Sequence, residues 1–385
     1  MTSSAFSRGS ASDSSSPFQR IPHTTVQLSE PGELIASVPA ILGFTPTRSV
    51  IAICLSGNPR PTIGAVMRHD LVFDDGVPDL SLEMRMAVDQ FATVSAREAA
   101  SGVLILFIDD RFDGTSETAI RRDAVVAVVE ALEDAVNFHG IELLDAFVAA
   151  KISEGEDWFS LLPDGDRGRQ PDPGASRVAM AQVLGGRVIR SSRQELEEIL
   201  AVDPSRETDD IGYLVDAAFD STTGSRDLPG DPRDPASGHR RELRFVLAHI
   251  GKVGAGGTPA PGECAQLALA LANVTVRDCL LALAVGDLAD DAERLWILLA
   301  KKLPAPHRSA PAALLGFSAY VRGDGPLAGI ALGSALDADP EHNLAGMLDV
   351  ALQSGIRPGI VRELADVGFE CAAALGVDLP TPTDR

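Results

Sequence analysis

The chain has 385 residues, of which 45% are hydrophobic, so it can bury a sizeable core, and domains of about 100 to 200 residues make two domains the expectation. Its formal net charge is −22, which argues against a nucleic-acid backbone or an anionic membrane surface as the main partner, because binding to either depends on clustered Lys and Arg. No segment approaches the roughly 18 consecutive apolar residues of a membrane span.

Residues 1–25 are rich in Ser and lack the apolar core of a secretory signal, which predicts a disordered tail. The four cysteines, Cys54, Cys264, Cys279 and Cys371, form no C-x-x-C pair and lie in apolar patterns. Such spacing favours buried, reduced thiols over a disulfide or metal framework. A cytoplasmic location is therefore expected.

Residues 26–220 alternate between strand and helix patterns, which predicts an α/β domain. The apolar, β-branched segment 49–56 and the segment 62–71 predict a hairpin. A helix is expected over 82–97. The segment 102–110 runs apolar without alternation, which is typical of a strand that is buried on both faces, so it is the predicted central strand.

A long amphipathic helix is predicted from Thr115 or Ser116 to Phe138, because its apolar residues recur at helical spacing. The segments 143–153 and 157–162 predict a second hairpin. Together with the preceding elements they indicate a mixed sheet with helices.

Two segments rich in Pro, Gly and Asp separate these patterns: a predicted loop over 163–174 and a predicted domain linker over 221–239. Beyond the linker, residues 240–380 predict an all-α helical domain. Its expected helices cover about 240–250, 263–272, 276–285, 288–302, 310–322, 326–337, 342–354 and 358–375.

Within that domain, residues 314–340 have the spacing of one tetratricopeptide-like helical hairpin. Gly316, Ala328 and Ala335 are expected where two antiparallel helices cross, because a larger side chain there would push the backbones apart. Pro340 ends the second helix. A single hairpin cannot form the groove of a solenoid, which needs about three stacked units.

Several segments carry a family resemblance. VPAILGFTPTRSVIAICL at 38–55, VRDCLLALA at 276–284 and MLDVALQSGIRP at 347–358 resemble the actinobacterial family catalogued as domain of unknown function 4192. The resemblance implies a cytosolic bacterial protein with this chain organisation, and it supplies no catalytic residue. Its recurring positions are Leu42, Gly43, Phe44, Pro46, Ser49, Arg277, Asp278, Gly323, Asp324, Gly325, Asp339 and Pro340.

The end of the central strand is one candidate ligand site. Asp109, Asp110 and Arg111 follow the strand, and open α/β sheets place ligands at the carboxyl ends of their strands. Two adjacent carboxylates could hold Mg²⁺. The alternative is that these polar residues only end a buried strand, because neighbouring side chains in an extended segment point opposite ways.

The loop before the first strand is a second candidate. Arg48 and Ser49, with hydroxyls at Thr45 and Thr47, could bind an anionic small molecule. The alternative is that Gly43 and its neighbours only shape the loop.

Two further motifs have local explanations. Arg277 and Asp278 fall in the first turn of a helix, where Thr275 is the expected N-cap and Arg277 is expected to pair with a neighbouring helix. Gly323, Asp324 and Gly325 form the turn of the hairpin. Neither motif indicates a reaction, and no hydrolase or phosphate-loop motif has the required spacing.

Two functions remain open from the sequence. The first is a non-enzymatic interaction or regulatory protein whose helical domain binds a protein partner. The second is an enzyme or sensor that binds a small anionic or metal-bound ligand at the α/β domain, near Asp109, Asp110 and Arg48. The sequence does not decide the oligomeric state.

Overall fold

A computed structural model describes residues 30–57, 61–73, 80–111, 116–162, 165–184, 189–223, 234 and 236–380. The N-terminal half holds a six-stranded mixed sheet and the C-terminal half is helical, which confirms the predicted fold class. The tail predicted over 1–25 lies outside the described residues.

The sheet has the strand order β2-β1-β3-β4-β5-β6. Among the described strands, the β3–β4 pair is parallel and the other neighbours are antiparallel. Both predicted hairpins, β1–β2 and β4–β5, are confirmed, and β3 has a neighbour on each side as predicted. The strands are β1 Ser49–Ser56, β2 Thr62–Asp70, β3 Gly102–Ile108, β4 Glu142–Ala149, β5 Asp157–Ser160 and β6 Arg167–Arg169.

Several strand ends and one loop differ from expectation. The strands predicted to reach 153 and 162 end at Ala149 and Ser160, and the central strand predicted to reach 110 ends at Ile108. The segment 163–174, predicted as a loop, contains the short strand β6, which pairs with β5. Its sequence, Arg167–Arg169, has no apolar residue, so its pairing depends on the neighbouring strand rather than on its own pattern.

Six helices accompany the sheet in the described N-terminal half. The helix predicted over 82–97 is confirmed as α2, and Ser81 caps it by accepting a hydrogen bond from the Met84 N–H at 3.2 Å. The sequence did not predict α1, which contains Pro39, or the helices over 177–184 and 206–223. The helices are α1 Pro31–Leu42, α2 Leu82–Arg97, α3 Ser116–Phe138, α4 Arg177–Leu184, α5 Arg193–Glu197 and α6 Arg206–Thr223.

The two faces of the sheet bury different cores. One face, represented by Val50 and Phe107, packs against α2 and α3. The opposite face, represented by Ile51 and Leu106, belongs to a core that also includes α1 and extends to Phe317 in the C-terminal half. The alternation of side chains along β1 and β3 therefore supplies both cores from the same strands.

Every helix predicted beyond residue 240 is confirmed, although their ends move by a few residues. They are α7 Ser237–Gly254, α8 Pro261–Ala272, α9 Val274–Leu280, α10 Ala289–Lys302, α11 Ser309–Arg322, α12 Gly325–Ala338, α13 Asn343–Gln353 and α14 Pro358–Ala374, with a 3-10 turn over Leu281–Val285 after α9.

The division into domains at 26–220 and 240–380 stays a prediction. Residues 224–233 and 235 of the predicted linker lie outside the described residues. Helix α6, which precedes the linker, packs against α8, which follows it.

Among the described helices, no single one is long and apolar enough to cross a membrane. A bent pair, Pro261–Ala272 and Val274–Val285 at 94°, passes that test by length and composition only, and both members contribute buried core residues. The cysteines are free thiols: Cys54, Cys264 and Cys279 are buried, and Cys371 is half-buried.

Candidate functional site

The structure brings Arg48 of the loop before β1 to the end of the central strand, β3. Arg48 contacts Asp110 through two hydrogen bonds, Nε to Oδ1 at 2.9 Å and Nη2 to Oδ2 at 3.4 Å. The hydrogen bond from Arg48 lowers the pKa of the Asp110 carboxyl, and the same contact raises the pKa of Arg48. Both side chains are exposed, so the pair lies at the surface.

The neighbouring carboxylate points into the protein. The Asp109 side chain has 0% exposure and accepts bonds from Nε and Nη2 of Arg111, both at 2.7 Å, and from the Arg111 N–H at 3.0 Å. Asp109 and Asp110 thus have separate arginine partners. The alternative reading of this motif, in which the two side chains point opposite ways, agrees with this arrangement.

Ser49 also forms hydrogen bonds within the protein. It is buried, its hydroxyl donates to the Thr47 carbonyl oxygen at 2.7 Å, and it accepts from Arg68 Nε at 2.8 Å. At this end of the sheet, each acidic side chain predicted to bind a ligand already accepts hydrogen bonds from a guanidinium. Among the described residues there is no group of three or more His, Cys, Asp or Glu side chains arranged to hold a metal ion. The Mg²⁺ hypothesis therefore stays a prediction of the sequence alone.

The predicted hairpin is formed by α11 and α12. An added Cβ on Gly316 would lie 2.7 Å from Leu332 Cδ2, and Ala328 and Ala335 are fully buried. Close helix packing at these small residues is confirmed, whereas the tetratricopeptide-like character of the pair stays a prediction.

The turn of this hairpin is built by its three motif residues. Gly323 has φ of 80°, which a residue with a Cβ adopts at a cost, and it ends α11. The Asp324 carboxylate caps α12 by accepting from the Leu327 N–H at 3.2 Å. Gly325 is the first residue of α12, and a Cβ there would meet open space.

Arg277 and Asp278 have a local role that differs from the prediction. Helix α9 begins at Val274, and its N-cap is Asn273, whose side chain accepts from the Thr275 N–H at 3.1 Å. The prediction of Thr275 as N-cap is wrong, because the helix begins before it. Arg277 Nη2 donates to Asp278 at 3.1 Å, so its partner lies next to it in sequence and not on a neighbouring helix.

A cleft that the sequence did not predict lies between the two halves of the chain. Its volume is about 370 Å³, and its walls come from β2, the end of α2, the α11–α12 turn and the α13–α14 turn. Gly323 and Gly325 of the hairpin turn line it. We refer to this space as the β2 cleft.

One wall of the β2 cleft is an outer edge of the sheet, beside which no described strand lies. Strand β2 is an outer strand, and four consecutive residues, Gly64 to Met67, line the cleft. Gly64 and Ala65 lie together opposite the single residue Cys54, which makes a β-bulge in this wall. A bulge leaves backbone groups outside the ladder.

The direction of the β2 backbone groups follows from one hydrogen bond. The Leu71 N–H donates to the Arg48 carbonyl oxygen at 2.7 Å, which continues the β1–β2 ladder beyond Asp70. In an antiparallel ladder, alternate residues point their N–H and C=O groups toward the neighbour. Met67 therefore points its backbone groups toward β1, and Val66 points its own toward the cleft side.

The remaining walls are joined by contacts between the two halves. Gln90 Nε2 donates to the Gln353 carbonyl oxygen at 3.0 Å, and Arg357 Nε contacts Glu98 Oε1 at 3.1 Å. Tyr320 donates its hydroxyl to the Ile356 carbonyl oxygen at 2.7 Å, and burial raises the pKa of Tyr320 to about 12. These contacts hold the α13–α14 turn against α2 and α11.

Residues far apart in sequence form this cleft, so no local pattern could reveal it. One signal was present: three of the resemblance positions, Leu42, Gly323 and Gly325, line the β2 cleft. The other resemblance positions, Arg277 and Asp278 among them, do not line it.

The comparisons with known proteins give one result. The model of the family described as domain of unknown function (DUF4192) matches residues 31–359. No curated protein and no solved structure matches the chain.

Proposed function

The chain belongs to the family domain of unknown function 4192, and we propose that it is a non-enzymatic, cytosolic interaction protein whose β2 cleft binds an extended segment of a protein partner. One observation carries the proposal: the outer strand β2, which pairs antiparallel with β1, forms a wall of a cleft that the helical half completes. Peptide recognition by strand addition uses such an edge, because its unpaired N–H and C=O groups match any extended backbone.

The surroundings of β2 support this assignment. Proteins usually protect an exposed edge with charges, prolines or a covering element, since an open edge pairs with other chains. Here helices flank the edge, yet they leave a space of about 370 Å³ beside Gly64–Met67. The flanking helices leave room for one strand beside β2 and block the approach of a whole second sheet.

The helical half supplies the specificity in this proposal. In strand addition the backbone provides affinity, and pockets for alternate side chains provide selectivity. Leu352, Ile356 and Pro326 give the cleft an apolar side, and Tyr320 lies beside them. The partner is therefore expected to present an apolar side chain toward the α11–α14 wall.

The experiment is a selection of displayed random nine-residue peptides on the immobilised full-length chain. Enriched peptides should be rich in β-branched and aromatic residues, and fluorescence anisotropy should give their Kd. N-methylation at every second backbone position should abolish binding when the methylated N–H groups are those that point toward β2. Methylation of the intervening positions should leave binding unchanged. The absence of enriched peptides, or binding that tolerates methylation at both sets of positions, would contradict strand addition.

A matched pair of glycine variants tests whether the peptides bind in the β2 cleft. Gly325 and Gly333 lie on the same helix, α12, and a Cβ at either position meets open space. Only Gly325 lines the β2 cleft. Gly325→Leu should therefore prevent peptide binding, whereas Gly333→Leu should leave the Kd unchanged.

A second candidate function is binding of a small anion at Arg48. Its support is the backbone of Arg48, which has φ of 44°, a conformation that costs energy for a residue with a side chain and that concentrates at functional sites. The ligand would displace the Asp110 carboxylate and bind the exposed guanidinium of Arg48. Thermal shifts with inorganic phosphate and nucleotides test this, and Arg48→Ala should remove any shift that belongs to the site.

A further inference from the structure

We propose that the segment bound in the β2 cleft carries a cationic group, a Lys or Arg side chain or an N-terminal ammonium, that pairs with Glu98 in place of Arg357. This inference rests on the proposed peptide-binding function and specifies the chemistry of the partner.

The first observation is the position of Glu98. It follows directly after α2, lines the β2 cleft, and has a side chain that is only 13% exposed. Its Oε2 lies 3.7 Å from the position that a Cβ on Gly64 would occupy, so the carboxylate lies beside the bulge of β2. A segment added along β2 would pass next to this group.

The second observation is the set of helix ends around the cleft. Within the described part of the chain, the cleft is lined by the C-terminal ends of α1, α2, α11 and α13, and by the N-terminal ends of only α12 and α14. Aligned peptide dipoles leave a partial negative charge at each C-terminal end, which stabilises cations. Asp324 further offsets the positive end of α12 by capping it.

The chain itself already places cations at these ends. Arg97 Nη1 donates to the Ser354 carbonyl oxygen at 2.5 Å, just beyond α13, and Arg357 contacts Glu98. The net charge of −22 also attracts cationic partners over distance. The local and the overall charge therefore favour the same sign of ligand.

The third observation is the asymmetry of the Glu98–Arg357 pair. The Arg357 side chain is 61% exposed, so water can solvate it when it leaves. Glu98 is mostly buried, so removing its partner without replacement is unfavourable. A ligand that displaces Arg357 must therefore bring its own cation. An anionic ligand would instead meet the Glu98 carboxylate and the four helix C-terminal ends.

The experiment uses the full-length chain and the peptides enriched in the selection described above. Lys or Arg should be enriched at one fixed position of the selected peptides. In peptides with a free N-terminus, the terminal ammonium can supply the cation instead. Acetylation of that terminus distinguishes the two sources. Changing the cationic residue to Gln should weaken binding by on the order of tenfold.

Two protein variants give opposite expectations. Glu98→Gln should weaken the cationic peptide to the level of the Gln peptide and leave the Gln peptide itself unaffected. Arg357→Ala should strengthen binding of the cationic peptide, because it removes the competing cation. Glu83→Gln, an exposed position in the first turn of the same helix, changes the net charge equally and should have no effect.

The outcomes separate the two proposals. If peptides bind through the backbone edge but ignore Glu98→Gln and carry no fixed cation, the charge inference is overturned and strand addition stands. Stronger binding of acidic peptides, or weaker binding by Arg357→Ala, overturns it as well. If N-methylation has no effect or no peptide is enriched, the proposed function itself fails. Melting curves of Glu98→Gln and Arg357→Ala confirm that both variants are folded.

Discussion

Two acid–arginine pairs in this protein differ in how firmly they are held. Asp109 and Arg111 are two positions apart, Asp109 is fully buried, and two guanidinium nitrogens contact it at 2.7 Å. Glu98 and Arg357 are 259 positions apart, share one contact at 3.1 Å, and leave Arg357 exposed. The first pair completes the end of the sheet, whereas the second can exchange its cation.

This difference teaches where to look for function in the chain. A buried carboxylate whose hydrogen bonds are all supplied internally contributes to stability and has little left for a ligand. A carboxylate in a cleft, held by a solvent-accessible cation, can change partners at small cost. The adjacent acidic residues of the sequence motif are thus the weaker candidate, and Glu98 is the stronger one.

The largest expected effect breaks the first pair. Asp109→Asn should lower the free energy of unfolding by about 2 to 4 kcal/mol, because Arg111 loses the charge of its buried partner. Asp110→Asn is the matched control: its side chain is exposed and should leave the denaturation midpoint nearly unchanged. Urea unfolding of both variants checks this, and equal stabilities would end the distinction between the buried and the surface pair.

Two glycines in the helical half also differ in how closely other atoms surround them. A Cβ on Gly368 would lie 2.6 Å from the Ala282 backbone nitrogen, whereas a Cβ on Gly333 meets nothing within 4 Å. Gly368→Ala should destabilise by about 1 to 3 kcal/mol through overpacking. Gly333→Ala should stabilise by about 0.4 to 1 kcal/mol, since it restricts the unfolded chain. Thermal melts with opposite signs are expected, and a stabilising Gly368→Ala would show that the helices do not approach this closely.

A third contact, made by a histidine, is expected to be lost in acid. His342 caps α13, with Nδ1 accepting from the Ala345 N–H at 3.2 Å. Burial lowers the pKa of His342 below 6.5, and the positive charge of Arg277 lowers it further, while Asp339 opposes them. Below pH 6.5 the unfolded chain therefore binds more protons than the folded one, so stability falls as the pH falls.

A variant isolates this pH effect. His342→Asn keeps an N-cap acceptor and removes the titrating group, so it should match the wild type near pH 7.5 and lose less stability by pH 5.5. The loss in the wild type should approach the value of one N-cap, about 1 kcal/mol. If the two proteins lose the same stability between pH 7.5 and pH 5.5, His342 is not the origin of the pH effect.

The fold could be predicted where local patterns decide it. The apolar run of β3, the period of α2 and the capped helices beyond 240 were all found from sequence because each element buries its own periodic face. Helix α1 was missed: it contains Pro39, and its stability comes from packing on the core beneath the sheet. Strand β6 was missed for a similar reason.

The candidate site could be predicted only in part. The sequence suggested Arg48 and Asp110 together, and they meet because β1 starts where β3 ends. It did not reveal the β2 cleft, since Glu98, Tyr320 and Arg357 approach one another only after the two halves pack. Tertiary packing, rather than any spacing in the chain, creates that site.

The smallest expected effect measures how freely the second pair exchanges. A double-mutant cycle of Glu98→Gln and Arg357→Ala, followed by urea unfolding, should give a coupling energy of about 0.2 to 1 kcal/mol, typical of a pair with one solvent-exposed partner. The coupling should shrink between 0.05 and 0.5 M NaCl, roughly as the screening length falls. A coupling above about 2 kcal/mol that ignores salt would place Glu98 with Asp109 as a fixed structural partner. In that case Arg357 could not leave at small cost, and a cationic ligand would gain little by replacing it.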